Sequence, residues 1–247
     1  MTEQKSQFLR NAWYATIWST DLVKSTPVAK TILNEQVVLF RIKDGSPVAL
    51  KDKCCHRGAP LSLGTCLENT IQCGYHGLQY DANGQCVVVP GQTHIPPGAS
   101  VKAYPLAERW NMVWIWMGDP SVADKTKIPN YFWLDDPKWV AATGYIHMKG
   151  NYQLLIDNLL DFTHVTYLHK NTISADPAEA AIPVEVERDE NTVSVSRWIY
   201  GFEAPPLFAK AGEFKGKVDR WQTTKWQAPS TLAFDVGCAK AGTGAPE

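Results

Sequence analysis

The 247-residue chain has no excess of either charge, since 24 Lys and Arg stand against 25 Asp and Glu, a formal net charge of −1. Phosphate binding needs a concentrated basic surface, so nucleic acid is excluded as the main partner. Long hydrophobic runs are also missing. The longest unbroken apolar stretch is Met112 to Met117, far short of the ~20 residues that span a bilayer, so no membrane segment is expected. Met1 to Ser6 is polar and lacks the apolar core of a secretory leader, so the chain reads as cytoplasmic. Six cysteines are too few for a disulfide scaffold. What is present is a 45% hydrophobic share against 20% charged, enough to build a core and to exclude global disorder. The length fits one large domain or two modest ones.

The cysteines and histidines are unevenly placed, and that is the main clue. Cys54, Cys55, His56, Cys66, Cys73, His76 and Cys86 crowd one region, while His164 and His169 form a later pair. Around the first group the chain reads as β-rich. Lys30 to Leu33, Gln36 to Ile42, Pro47 to Lys51, Leu78 to Tyr80, Gln85 to Val89, Ala103 to Glu108 and Met112 to Met117 are short runs separated by turn residues. Their spacing predicts a small antiparallel sandwich or barrel over residues 1–118. Residues 119–138 are polar and proline-punctuated, a linker or surface excursion. A second domain is expected over 139–247. Its best helix is Tyr152 to Leu168, capped by Asn151, with Leu155, Leu159, Phe162 and Tyr167 on one buried side. Strand-like runs follow at Val184 to Glu187, Thr192 to Tyr200, Lys217 to Trp226 and Thr231 to Val236.

Cys54-Cys55-His56 is followed, after sixteen residues, by Cys73-Gly74-Tyr75-His76. Read as Cys-x-His and Cys-x-x-His, the pairs supply two thiolates and two imidazoles from expected turns. That donor set suits a [2Fe–2S] cluster with both Cys on one iron and both His on the other. Such a cluster has a higher potential than an all-Cys one, because neutral imidazole stabilises the reduced iron. A four-ligand zinc site is the bland alternative, but zinc modules usually group Cys with Cys and His with His. The offset leaves Cys55 spare. Cys66 and Cys86 read as small buried apolar residues, and His94 and His147 as structural.

In Asp161-Phe162-Thr163-His164-Val165-Thr166-Tyr167-Leu168-His169, Asp161 and His164 share a helical face. His164 and His169 stand about 140° apart on a regular helix. For both to hold one metal, the helix must end or bulge near Thr166 to Leu168. Two histidines and one carboxylate leave open positions on Fe(II) for O₂ and substrate. Asp161 could be the third ligand, or could accept the free ring N–H of a ligand histidine.

Cys54-Cys55-His56-Arg57 with Cys73-Gly74-Tyr75-His76-Gly77 resembles the Rieske domain of the non-haem iron aromatic oxygenases. Cys55 stands where that family often has Pro. Arg10-Asn11-Ala12-Trp13-Tyr14 and Trp114-Ile115-Trp116-Met117-Gly118-Asp119-Pro120 are similar to the branch of vanillate O-demethylase and toluenesulfonate methyl-monooxygenase, and the likeness runs to Gly242-Thr243-Gly244-Ala245-Pro246-Glu247. The resemblance implies an α+β chain, with an all-β Rieske domain before an incomplete α/β helix-grip-type catalytic domain. It implies Cys54, His56, Cys73 and His76 on the cluster and His164 and His169 on a mononuclear Fe(II). Asp161 would then link the iron site to His76 of a neighbouring subunit. It further implies a ferredoxin or flavin reductase as electron donor, O₂, a small aromatic substrate, and a homotrimer. The reaction expected is oxidation of a methyl or methoxyl group on an aromatic sulfonate or carboxylate. The alternative is a Rieske electron carrier without oxygenase activity. No residue matches the family's late carboxylate ligand. Asp219 and Asp235 are not assigned to it, and the chain reads as a fragment of a longer enzyme. The tryptophans, including Trp198, Trp221 and Trp226, read mostly as core, and Arg197, Arg220 and Lys225 as solvated surface cations.

Overall fold

Met112 to Met117 is apolar throughout because both faces of its strand meet a core. In the structure, a computed structural model describing residues 8–174 and 176–244, Val113, Ile115 and Met117 enter one apolar cluster. Trp114 and Trp116 enter another with Trp13 and Ile128. Contacts divide the chain into a first unit ending at Tyr145 and a second starting at Ile146.

Among its described residues the first unit holds ten strands: β1 (Ala12–Trp18), β2 (Val28–Ile32), β3 (Glu35–Arg41), β4 (Pro47–Lys51), β5 (Thr65–Cys66), β6 (Ile71–Gln72), β7 (Gln79–Tyr80), β8 (Cys86–Val88), β9 (Leu106–Arg109) and β10 (Met112–Met117). They form three antiparallel sheets, ordered β1-β10-β9, β2-β3-β4 and β5-β6-β7-β8. β3 separates two cores. Val37 and Leu39 face the cluster shared with β10, while Val38 and Phe40 face a second that contains Cys54, Leu61, Ile71, Cys73 and Tyr80. The β9–β10 hairpin turns at Trp110-Asn111 as expected, with φ of 59° and 56°. The β2–β3 turn falls one residue earlier than expected, at Leu33-Asn34 with φ of 49° and 63°. Two successive left-handed residues match the twist of a two-residue hairpin. Residues 119–138 run as three 3₁₀ turns and contribute Ile128 to the tryptophan core. β1, β5 and β6 carried no clear strand signal.

The second unit is one antiparallel meander, β11 (Glu185–Arg188), β12 (Thr192–Glu203), β13 (Lys217–Gln227) and β14 (Thr231–Lys240). The helices are α1 (Tyr152–Leu160), α2 (Val165–Leu168) and α3 (Pro206–Ala211). The single helix expected over Tyr152 to Leu168 is corrected to two. Asp161 leaves the helix with ψ of 110°, because its Oδ1 accepts the Thr163 N–H at 2.7 Å and the Thr163 hydroxyl at 2.6 Å. A local side-chain turn of this kind competes with helical hydrogen bonding. The break resets the phase of the buried face. Ile156, Phe162, Val165 and Thr166 are buried, whereas Leu155 and Tyr167, expected inside, are 40% and 67% exposed. Among the described residues no helix is long and apolar enough to cross a membrane.

Phe40 is fully buried beneath the Cys54 and Cys73 loops. Phe40→Ala is expected to destabilise the protein by about 3–5 kcal/mol in denaturant unfolding. A loss below about 1 kcal/mol would show that this core is not packed as described.

Candidate metal centres

Two short loops close with the same backbone pattern. In the first, the Cys54 N–H donates to the Ala59 carbonyl at 2.8 Å and the Gly58 N–H to the Cys54 carbonyl at 2.9 Å. In the second, the Cys73 N–H donates to the Leu78 carbonyl at 2.8 Å and the Gly77 N–H to the Cys73 carbonyl at 3.0 Å. Each turn needs a left-handed residue four positions after its cysteine. Gly58 and Gly77 supply it, with φ of 72° and 77°, at no steric cost. Each loop buries its cysteine against the same core and leaves its histidine exposed.

The imidazoles of His56 and His76 meet with ring centroids 4.6 Å apart, at 66°. Two imidazoles on one metal at ~2.1 Å per nitrogen place their centroids roughly 5 Å apart, so this pair fits a shared iron. The sulfurs lie on the inner side. Burial pushes the Cys73 thiol up and the nearby Cys54 adds to it, while backbone N–H groups of Tyr75 and His76 act the other way. Amides aimed at sulfur are among the features that tune iron–sulfur clusters. The buried Tyr80 hydroxyl lies 3.0 Å from Cys54 Sγ and 3.2 Å from Cys55 Sγ, and accepts the Cys55 N–H at 3.2 Å. Burial, then the two thiols, push its pKa up. The donor set therefore fits a [2Fe–2S] cluster, with sulfur inside and nitrogen outside. Sequence reasoning missed Tyr80, which reads only as a strand residue. Cys66 and Cys86 are buried in the core as expected, and His94 and His147 are exposed.

The second centre lies on the broken helix. His164 precedes α2 and His169 follows it, and their ring centroids are 5.4 Å apart at 67°. The helix ends at Leu168, inside the range where a terminus was required. His164 Nδ1 is buried with no hydrogen-bond partner within 3.5 Å among the described residues. It faces Asp161 Oδ2 at 3.6 Å. Hydrogen bonding from Thr163 lowers the Asp161 pKa against its partial burial, and the neighbouring His164 lowers it further. With one Asp161 oxygen committed to Thr163 and the other beside His164, the carboxylate orients the imidazole. His164 Nε2 and the His169 ring are left for a metal, so the pair fits an open iron site. Among the described residues no three His, Cys, Asp or Glu side chains converge on one ion. Asp219 is no candidate, because its two oxygens accept the Gly201 and Gly242 N–H groups at 2.9 and 2.7 Å. Asp235 accepts the Trp221 indole N–H at 2.8 Å.

The expectation for two of the basic residues fails as well. Arg197 and Arg220 are not surface cations but are 2% and 0% exposed. Arg220 is paired with the fully buried Glu179 at 3.2 Å. Lys225 is exposed as expected. Trp198 and Trp221, read as core, form part of an aromatic ladder with Tyr200, in which Trp198 is 36% exposed.

Residues 12–105 match the family described as the Rieske [2Fe-2S] domain, and residues 148–247 match the vanillate O-demethylase oxygenase C-terminal domain. The last three of these, 245–247, lie outside the described residues, as does the end of the Gly242 to Glu247 likeness. The iron-sulfur subunit TsaM1 of the toluene-4-sulfonate monooxygenase system of Comamonas testosteroni is 44% identical over 97% of this chain and 70% of its own length. The vanillate O-demethylase oxygenase subunit of a Pseudomonas strain is 37% identical over 96% of this chain and 68% of its own length. A crystal structure of dicamba monooxygenase bound to 3,6-dichlorosalicylic acid superposes with a TM-score of 0.91 at 36% identity, covering 96% of this chain and 70% of that one.

Gly77 tests the loop closure. A Cβ there would sit 2.9 Å from Pro90 Cγ in a left-handed conformation. Gly77→Ala is expected to cost at least roughly 1–2 kcal/mol in unfolding measurements, whereas an unchanged midpoint would contradict the φ assigned to this turn.

Proposed function

Because the chain belongs to the Rieske non-haem iron oxygenases, as an oxygenase component of an iron-dependent monooxygenase, we propose that it oxidises a methyl or methoxyl group on a small aromatic sulfonate or carboxylate. The cofactors of such enzymes are a [2Fe–2S] cluster and a mononuclear iron. When bound, the cluster supplies one-electron transfer and the Fe(II) supplies oxygen activation.

Cys54 and Cys73 hold one cluster iron, and His56 and His76 the other. His164 and His169 hold the mononuclear iron. The observation that carries this reading is the pairing of both histidine sets, at centroid distances of 4.6 and 5.4 Å. Asp161 keeps His164 oriented, and its side chain is 45% exposed, so it is also open to His76 of the partner subunit. That contact is the electron bridge of the proposal, and it requires a ring-shaped oligomer, a homotrimer by family likeness. Electrons come from a ferredoxin or flavin reductase. Beside His56, Lys51, Lys53, Arg57 and Lys102 line a cleft of about 580 Å³, and their charge suits an acidic redox partner. None of the six cysteines is joined in a disulfide, in keeping with a cytoplasmic setting.

Two outcomes test the assignment. His164→Ala is expected to lose the mononuclear iron and substrate-dependent O₂ uptake while keeping acid-labile sulfide and the cluster absorption. Full iron content in that variant would overturn the ligand role, and wild-type-like electron transfer with no O₂ uptake in either protein would favour a simple electron carrier. Tyr80→Phe removes an O–H from beside Cys54 Sγ. It is expected to lower the cluster potential by roughly tens of millivolts, and an unchanged potential would show that the hydroxyl does not donate to the ligand sulfur.

A further inference from the structure

The β12–β13 sheet carries a buried ionic cluster that neither metal centre uses. Arg220 and Glu179 are both fully buried, and Arg197 is 2% exposed. Arg220 Nη1 lies 3.2 and 3.3 Å from the two Glu179 carboxylate oxygens. The Ser174 hydroxyl lies 3.0 Å from Glu179 Oε2. Arg197 donates from Nη1 to the Glu179 backbone carbonyl at 3.2 Å, and from Nε and Nη2 to Gln222 Oε1 at 3.1 and 2.7 Å. Burying this much charge is costly unless the geometry serves some end, and replacement by apolar residues is often no less stable.

What the cluster grips is the segment that carries the second centre. Arg220 Nη2 donates to the Ile173 carbonyl at 2.7 Å. The N–H groups of Thr172, Ile173 and Ser174 all turn back onto the His169 carbonyl, at 3.0, 3.1 and 3.3 Å. The Leu207 N–H of α3 holds the Thr172 carbonyl at 2.9 Å. On the other side of α2, the Arg197 guanidinium lies 5.7 Å from the centroid of Phe162, in the break between Asp161 and His164. The helix between the two histidines has four residues and no side-chain cap at its start. So short a helix does not hold its own shape in water, and its ends must be fixed from outside.

We propose that Glu179, Arg220 and Arg197 are positioning residues for the His164–His169 iron pair, acting through the Ile173 carbonyl on one side and the Phe162 ring on the other. This rests on His164 and His169 being the iron ligands.

The test measures Fe(II) affinity and thermal unfolding on anaerobically purified, cluster-loaded protein. Wild type is compared with His164→Ala, Arg197→Met, Arg220→Lys and the double variant Glu179→Leu/Arg220→Met. The double variant removes the Glu179–Arg220 pair together but leaves Arg197 buried, so its unfolding midpoint is expected to fall less than that of a variant that removes Glu179 alone. Its Fe(II) affinity is expected to fall about 10- to 100-fold, the usual effect of losing support behind a metal ligand, with unchanged cluster absorption. Arg220→Lys, which keeps a donor for Ile173, is expected to lose less. Wild-type Fe(II) affinity in a stably folded double variant overturns the proposal. Should the double variant fail to fold, Arg197→Met decides in its place, with weaker Fe(II) binding supporting the proposal and wild-type affinity overturning it. Unchanged Fe(II) binding in His164→Ala overturns the ligand reading instead, a result distinct from either.

Discussion

What the first unit offers to a cluster depends on one backbone closure, made twice. A cysteine amide reaches the carbonyl five residues on, a left-handed glycine returns its amide to the cysteine carbonyl, and the residues between are thrown outward. The closure turns each sulfur into the core and each imidazole toward solvent. The two loops place the histidine differently, at the second position after Cys54 and the third after Cys73. A Rieske cluster needs this asymmetry of environment, since sulfur and nitrogen sit on different irons. The fold below exists to hold the loops together. Phe40, Leu61, Ile71 and Tyr80 all pack in the one core that contains both cysteines.

The second unit solves a different problem. Two histidines five apart cannot meet on a regular helix, so α2 ends at Leu168 and His169 falls outside it, while a separate break parts α2 from α1. Asp161 makes the stop by capturing Thr163, and the same carboxylate then faces His164. The cost of breaking the helix is a segment with little intrinsic stability. Three long strands, β12 to β14, give it a rigid floor, and the buried Arg220–Glu179 pair ties the end of the segment to that floor.

Most of the candidate site was legible in the sequence because its signals are local. The cysteine and histidine offsets lie within one 23-residue window, and the Asp161, His164, His169 spacing forces a helix end by geometry alone. The strand at Met112 to Met117 was legible as a short apolar run next to the turn residues Trp110-Asn111, but that both its faces are buried shows only in the packing. The buried ion pair was not. Arg220 and Glu179 are 41 residues apart, and an arginine on an alternating strand reads as a surface cation until its partner is known. The position of the helix break was also hidden, because the Asp161 side chain can continue a helix or end one, and only its hydrogen bonds decide which. α3 carried too few residues to show a period.

The central claim is that two imidazoles and two thiolates share one bridged diiron centre between these loops. Pulsed EPR of the reduced, histidine-¹⁵N-labelled protein reads this directly. Couplings from two inequivalent imidazole nitrogens, one lost on replacing His56 and the other on replacing His76, are the result this structure requires. A reduced cluster without any histidine nitrogen coupling would contradict it.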